Sequence, residues 1–292
     1  MEMIPMREAM QQRHSVRSYL STPIPQDVLT TLRQAVKECS SAAKMRIQLV
    51  TDEPEAFRGF LARRGHFVGV RNYIAFVGQK DDTLDERTGY YGEKLVLLAQ
   101  QLGLSTCWVA LTYSKRKCPA IVNPGEKLVC VIALGYGISR GSPHRNRPLE
   151  QVCNLTDASP DWFRSGMEAV MLAPTAMDQQ RFFFRQEGNQ VSARSTGGPC
   201  SKIDLGIVKC HFELGAGAEN FRWADAPQPV SEEAAIAEAE TECAVEAETE
   251  ENVSTEINRI DMGTGNAYID VKLPDGLFYK IIGEMTGIKM ES

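Results

Sequence analysis

Arg13-His14-Ser15-Val16-Arg17, which follows the amphipathic run Met6 to Gln12, is the stretch on which the reading of this chain turns. In extended backbone Arg13, Ser15 and Arg17 fall on one side, where two planar guanidinium forks and a hydroxyl can hold a phosphate dianion. Alone the run is weak evidence, because five residues this rich in arginine more often form a solvated helix end. The remainder of the chain decides between the two.

With 292 residues, 43% of them hydrophobic, the chain can bury the core of one large domain or two small ones. It has no run of about eighteen apolar residues, so no membrane span is expected. Met1 to Gln12 carries Glu2, Arg7 and Glu8 and lacks the apolar segment of a signal peptide. The eight cysteines show no CxxC and no regular spacing, and Cys130 sits inside the apolar run Leu128 to Ile132. Reduced thiols in a cytoplasmic protein fit better than a disulfide framework or a zinc site. The net charge of −6 conceals an asymmetry: Ser231 to Glu256 holds ten glutamates and no other charge, leaving +4 for the remainder. No basic stripe interleaved with aromatics appears, so a nucleic-acid partner is not expected.

Working outward, Pro25 to Cys39 reads as a helix, Ser40 to Lys44 as a small-residue turn, and Met45 to Val50 as a half-buried strand. A second strand spans Tyr73 to Gly78. The long helix Asp85 to Leu102 ends at Gly103, which suits a left-handed cap. Strands follow at Leu104 to Ala110 and Lys127 to Leu134. Gly135-Tyr136-Gly137 follows a strand but is not a dinucleotide fingerprint: its third glycine is misplaced, and a loop rich in Pro and Arg comes next, where a helix is needed. The second half then shows a helix from Trp162 to Ala173, a turn from Pro174 to Gln180, and strands flanking Glu187-Gly188-Asn189. A last helix, Ile203 to Leu214, ends at Gly215. Helix, small-residue turn, strand, strand, helix and glycine thus occur twice, as in an internal duplication or by chance between two α/β halves. Composition changes after Ala224. A Glu/Ala-rich linker reads as disordered, with a transient helix as the alternative. Ala267 to Leu273 and Leu277 to Ile282 flank Pro274-Asp275-Gly276 as a hairpin that needs the main body or a partner to lean on.

Taken in order, these motifs resemble the nitroreductase family of flavin enzymes over about Met6 to Trp223. Arg13 to Arg17 is similar to the family's Arg-x-Ser-x-Arg, and Gly103-Leu104-Ser105-Thr106-Cys107-Trp108 to its Gly-Leu-Gly-Thr segment, with Ser105 replacing a glycine. Gly135-Tyr136-Gly137 with Arg145-Asn146-Arg147-Pro148 resembles the end of the family domain. Pro174-Thr175-Ala176-Met177-Asp178-Gln179-Gln180-Arg181 resembles the turn that the other subunit of a family homodimer places near the flavin ring, with Asp178 where Asn is usual and Arg181 where Pro is usual. The resemblance implies an α+β fold, a mixed sheet with flanking helices, built from two tandem degenerate repeats that form a pseudo-dimer in one chain. The expected divisions are 1–155, 156–225, a linker at 226–256 and a hairpin extension at 257–292.

The resemblance further implies flavin mononucleotide (FMN) as cofactor, NAD(P)H as reductant and a small electron-poor acceptor such as a nitroaromatic or quinone, exchanged by ping-pong. The phosphate would be held by Arg13, His14, Ser15 and Arg17, one of Arg145 or Arg147, and amides near Ser105 and Thr106. Arg145 and Arg147 read equally as solvated loop residues. The ring would lie among Cys107, Trp108, Val109, Pro174, Thr175, Ala176 and Asp178, although Trp108 is as readily a core residue. Tyr90, Tyr91 and Glu93, beside Gly89 and Gly92, are the candidate substrate contacts. No catalytic acid, base or metal is required, since the flavin carries the chemistry; the four histidines have no zinc spacing. A monomer is expected. Dehalogenation or flavin breakdown on the same fold, and a non-enzymatic flavin carrier or sensor, are the alternatives.

Overall fold

The computed structural model describes residues 3–224, 267–272 and 278–283. The chain divides into a unit at residues 1–226 and a second at 227–292. In the first, four strands form a sheet in the order β1 (Arg46–Val50), β2 (Asn72–Gln79), β4 (Glu126–Gly135), β3 (Ser105–Val109), every neighbouring pair antiparallel. Period-two alternation gives the sheet two apolar faces. Ile74 and Phe76 of β2 and Ile132 of β4 join one core, while Tyr73, Ala75, Val131 and Ala133 join another with Phe57, Phe67 and Tyr113.

The first face is covered by α2 (Gln26–Ala43) and α4 (Leu84–Gln101). Val28, Leu32 and Val36 give α2 its buried stripe. Contrary to the expected turn at Ser40 to Lys44, α2 continues through Ala43, because serine and alanine do not break a helix; only Lys44, at φ 48° and ψ 46°, takes the left-handed cap. The short helices α1 (Met6–Gln12) and α3 (Phe60–Arg64) lie outside this pair, and α3 was not evident from spacing.

The second half supplies α5 (Asp161–Val170), the hairpin β5 (Phe182–Glu187) and β6 (Gln190–Ser195), α6 (Ser201–Ala216), and the two-residue strand β7 (Arg222–Trp223), which joins β6 in parallel. Helix α6 passes through Gly215, expected as its end, and stops at Gly217 with φ 77°. Gly215 is instead a packing residue: a Cβ there would lie 2.5 Å from that of Ala169 on α5. Helices α4 and α6 cross at Gly89 and Gly206, where added Cβ atoms would each come within 1.9 Å of a carbonyl oxygen of the other helix. Only glycine permits this approach.

Among the described residues no helix is long and apolar enough to cross a membrane. In the second unit β8 (Ala267–Lys272) pairs antiparallel with β9 (Phe278–Gly283), Ile269 opposite Ile281. The acidic linker and the Pro274-Asp275-Gly276 turn lie outside the described residues.

Candidate functional site

Helix α1 ends at Arg13, whose backbone is extended, and the chain then runs beside β3. Ser15 forms a parallel bridge with Thr106, and the Val16 N–H donates to the Thr106 carbonyl at 3.0 Å. This pairing directs Ser15 and Arg17 to a cleft of about 150 Å³. Cys107, Trp108 and Val109 of β3 form its floor, and the Pro174-Thr175-Ala176 turn and Asp204 of α6 its opposite wall. Segments some 160 residues apart in sequence therefore share one concavity of the mixed polarity that small-ligand sites have.

The Pro174–Gln180 turn is backed from both sides. The Ala176 N–H donates to Asp204 Oδ1 at 2.9 Å and Gln179 Nε2 to Asp204 Oδ2 at 2.7 Å. Gln180, 1% exposed, accepts from the Arg147 N–H at 2.6 Å and donates to Asn146 at 2.8 Å. Met177, Asp178 and Gln180 all have positive φ, at 54°, 51° and 43°. The Asp204 carboxyl is 2% exposed, and burial raises its pKa from 3.8 to about 6, against the lowering effect of the Gln179 and Ala176 hydrogen bonds. Burial also pushes up the Cys107 thiol, despite Arg17, the Ser15 hydroxyl and Arg13.

Other candidates lie elsewhere. Arg13 is 4% exposed and does not line the cleft; its Nε sits 4.0 Å from Glu93 Oε1 and has no hydrogen-bond partner. Burial lowers its pKa, opposed first by Glu93 and then by Cys107 and Asp178. His14 and Ser105 face a separate opening together with Arg140. The His14 pKa is lowered by burial, then by Arg13 and His144. Thr106 is buried between strands, and Arg145, Arg147 and Asp178 are exposed without lining the cleft. Nor do Tyr90, Tyr91 or Glu93 line it. The Tyr90 hydroxyl donates to Glu213, Tyr91 packs on the core, and Glu93, 0% exposed, accepts from the Trp108 indole at 3.0 Å.

The sequence reading missed Asp204, Gln180, Cys130 and Cys200. Asp204 resembles any acidic residue in the first turn of a helix, and no local signal marks it as a wall of the cleft. Cys130 and Cys200 line the same cleft from β4 and from the residue preceding α6.

Residues 5–216 match the family model described as "Putative TM nitroreductase", and residues 225–292 match one described as "Stage IV sporulation protein A, middle domain". No curated protein matches the chain. Among solved structures, a "putative nitroreductase" of Thermotoga maritima is 21% identical with a TM-score of 0.55, the match covering 75% of this chain and 87% of that one. A "putative nitroreductase" of Desulfovibrio desulfuricans, solved in complex with FMN, is 18% identical with a TM-score of 0.43, covering 54% of this chain and 99% of that one. The order of motifs and the α+β architecture agree with the first family model over 5–216, and the chain belongs to that nitroreductase family.

Proposed function

We propose that the chain is an FMN-dependent oxidoreductase that passes hydride from NAD(P)H to an electron-poor acceptor such as a nitroaromatic or a quinone. The observation that carries this reading is the cleft itself, where Ser15 and Arg17 meet the Pro174–Ala176 turn within one chain. The residues fit the group. A cation and a hydroxyl suit a phosphate, and Trp108, Val109 and Pro174 offer the apolar surface a flat ring needs.

When bound there, FMN would supply both hydride acceptance and hydride donation. Arg17 and Ser15 would hold its phosphate through charge-assisted hydrogen bonds. Trp108 and Pro174 would exclude water from the ring space, and Asp204 would keep the turn closed through Ala176 and Gln179. Reductant and acceptor would use the one cleft in turn, which is the ping-pong order.

The same reading takes the two halves as degenerate repeats. In support, the long helices α4 and α6 cross at one glycine from each half, Gly89 and Gly206. A chain that completes its own cleft needs no second subunit for it, so the protein is proposed to act as a monomer. The seven described cysteines are all free, which supports a reducing compartment such as the cytoplasm.

The test begins with purification. The protein should be yellow, carry one FMN per chain and oxidise NADH or NADPH when a quinone is supplied. Ser15→Ala with Arg17→Ala should weaken FMN binding about 100-fold or more, two charge-assisted contacts at about 1.5–3 kcal/mol each. A colourless protein that takes up no added FMN would overturn the reading, and so would full FMN retention in the double variant.

A further inference from the structure

Polar side chains from four separate segments meet in the core directly behind the cleft. Glu93 of α4 and His211 of α6 are 0% exposed, and Arg13 is 4% exposed. The Trp108 indole Nε1–H donates to Glu93 Oε2 at 3.0 Å, and His211 Nε2 lies 3.0 Å from Glu93 Oε1. Arg13 Nε lies 4.0 Å from that same oxygen. His211 Nδ1 is 3.0 Å from the Ala169 carbonyl, which can only accept, so Nδ1 carries a hydrogen. A second proton must lie between Nε2 and Oε1, since two bare lone pairs would otherwise face each other. Whichever atom holds it, the Glu93–His211 pair is neutral as a unit, and Arg13 adds a positive charge to the core.

Three contacts hold the Trp108 ring. Its Nε1–H is fixed by Glu93. One face stacks on Phe76, with centroids 5.8 Å apart and planes at 24°. Gly92, next to Glu93, leaves the space the ring occupies: a Cβ there would come within 2.2 Å of Trp108 Cη2. The hydrogen bond is the directional contact of the three, and it fixes which way the indole N–H points in its slot. Arg13, drawn toward the same carboxyl, is absent from the cleft lining that Ser15 and Arg17 share.

We propose that Glu93 is the positioning residue of the cleft: its carboxyl orients the Trp108 indole in the floor and packs beside the buried Arg13, while His211 shares the proton that lets it lie in the core. The effect on turnover rests on the flavin reading above; the orientation of Trp108 does not.

The decisive signal is the Trp108 indole N–H resonance in nitrogen-15 NMR of the flavin-free full-length protein, assigned by its loss in Trp108→Phe. Glu93→Gln keeps a carbonyl oxygen for the indole and offers amide hydrogens to His211, so the indole hydrogen bond is retained. Glu93→Met, similar in volume, should move the resonance upfield, toward an unbonded indole, and further than Glu93→Gln does. In the flavin-loaded protein Glu93→Met should also raise the acceptor KM about tenfold or more, with a smaller change in kcat. A Trp108 resonance unchanged in Glu93→Met overturns the proposal. So does a shifted resonance accompanied by an unchanged KM. If the wild type binds no flavin, that failure belongs to the functional reading, and the NMR comparison still decides the role of Glu93.

Discussion

Replacing Asp204 with asparagine removes a carboxyl that the fold holds against its ordinary chemistry. Burial raises its pKa from 3.8 to about 6, so the native state binds this proton more tightly than the unfolded chain does. The sign is therefore opposite to that of a salt-bridged carboxylate. The stability associated with the protonated group is fully present below about pH 4 and is lost as the pH rises toward 6. A gap of about 2.2 units corresponds to about 3 kcal/mol. Asparagine does not titrate. Its amide oxygen can keep the bond from the Ala176 N–H, while the Gln179 amide, held by the Pro199 carbonyl at 2.8 Å, loses its second acceptor by an amount that does not vary with pH. Urea unfolding of the flavin-free proteins across this pH range, read as midpoint shifts at constant slope, isolates the effect from ligand linkage. Between pH 4 and 7.5 the variant should gain about 3 kcal/mol over wild type. A difference that stays constant with pH would refute the reasoning, because it would show that burial does not disfavour the charged carboxylate. The native acid thus gives up stability to tie the turn to α6, a trade common at functional sites.

Two further outcomes follow from the packing. Gly206→Ala gains about 1 kcal/mol of helix propensity, but its Cβ would lie 1.9 Å from the Glu86 carbonyl oxygen and 2.6 Å from the Tyr90 nitrogen, so the helices must part. Its melting temperature should fall by about 5 °C or more, and an unchanged value would show that the two helices do not touch there. A chain ended after Ala226 keeps every described residue that lines the cleft. It should unfold cooperatively and hold as much FMN as the full chain; loss of FMN on truncation would place part of the site in residues 227–292.

How legible the molecule was depends on how far apart the interacting residues are. Strands β2 and β4 and helix α4 announce themselves through local periodicity, and Gly103 ends its helix with φ 78°. Ser40 to Ala43 and Gly215 misled for a common reason. Small residues signal a turn when read locally, yet here one run continues a helix and the other lets two helices touch. Ser15, Arg17, Trp108 and the Pro174 turn, which line one cleft, each belong to a recognisable motif. The sequence reads Glu93, with Tyr90 and Tyr91, as a candidate substrate contact, whereas it is buried. Its burial depends on His211 and Arg13, 118 and 80 positions away, and no window along the chain contains all three. Asp204 was missed for the same reason, since its partners Ala176 and Gln179 are not its neighbours in sequence. For residues 225–292, composition and a hairpin pattern were visible, whereas the match to a sporulation-protein domain was not.

The three left-handed residues in the Pro174–Gln180 turn give the cleft a spring-loaded wall. Non-glycine residues in that region cost about 1–2 kcal/mol each, so Met177, Asp178 and Gln180 together oppose the closed shape by about 3–6 kcal/mol. The turn stays shut because Asp204 grips one end and the Asn146–Arg147 loop the other through Gln180. Backbone strain is therefore concentrated in the one segment that walls the cleft, balanced by those hydrogen bonds and not by the sheet or the α4–α6 crossing.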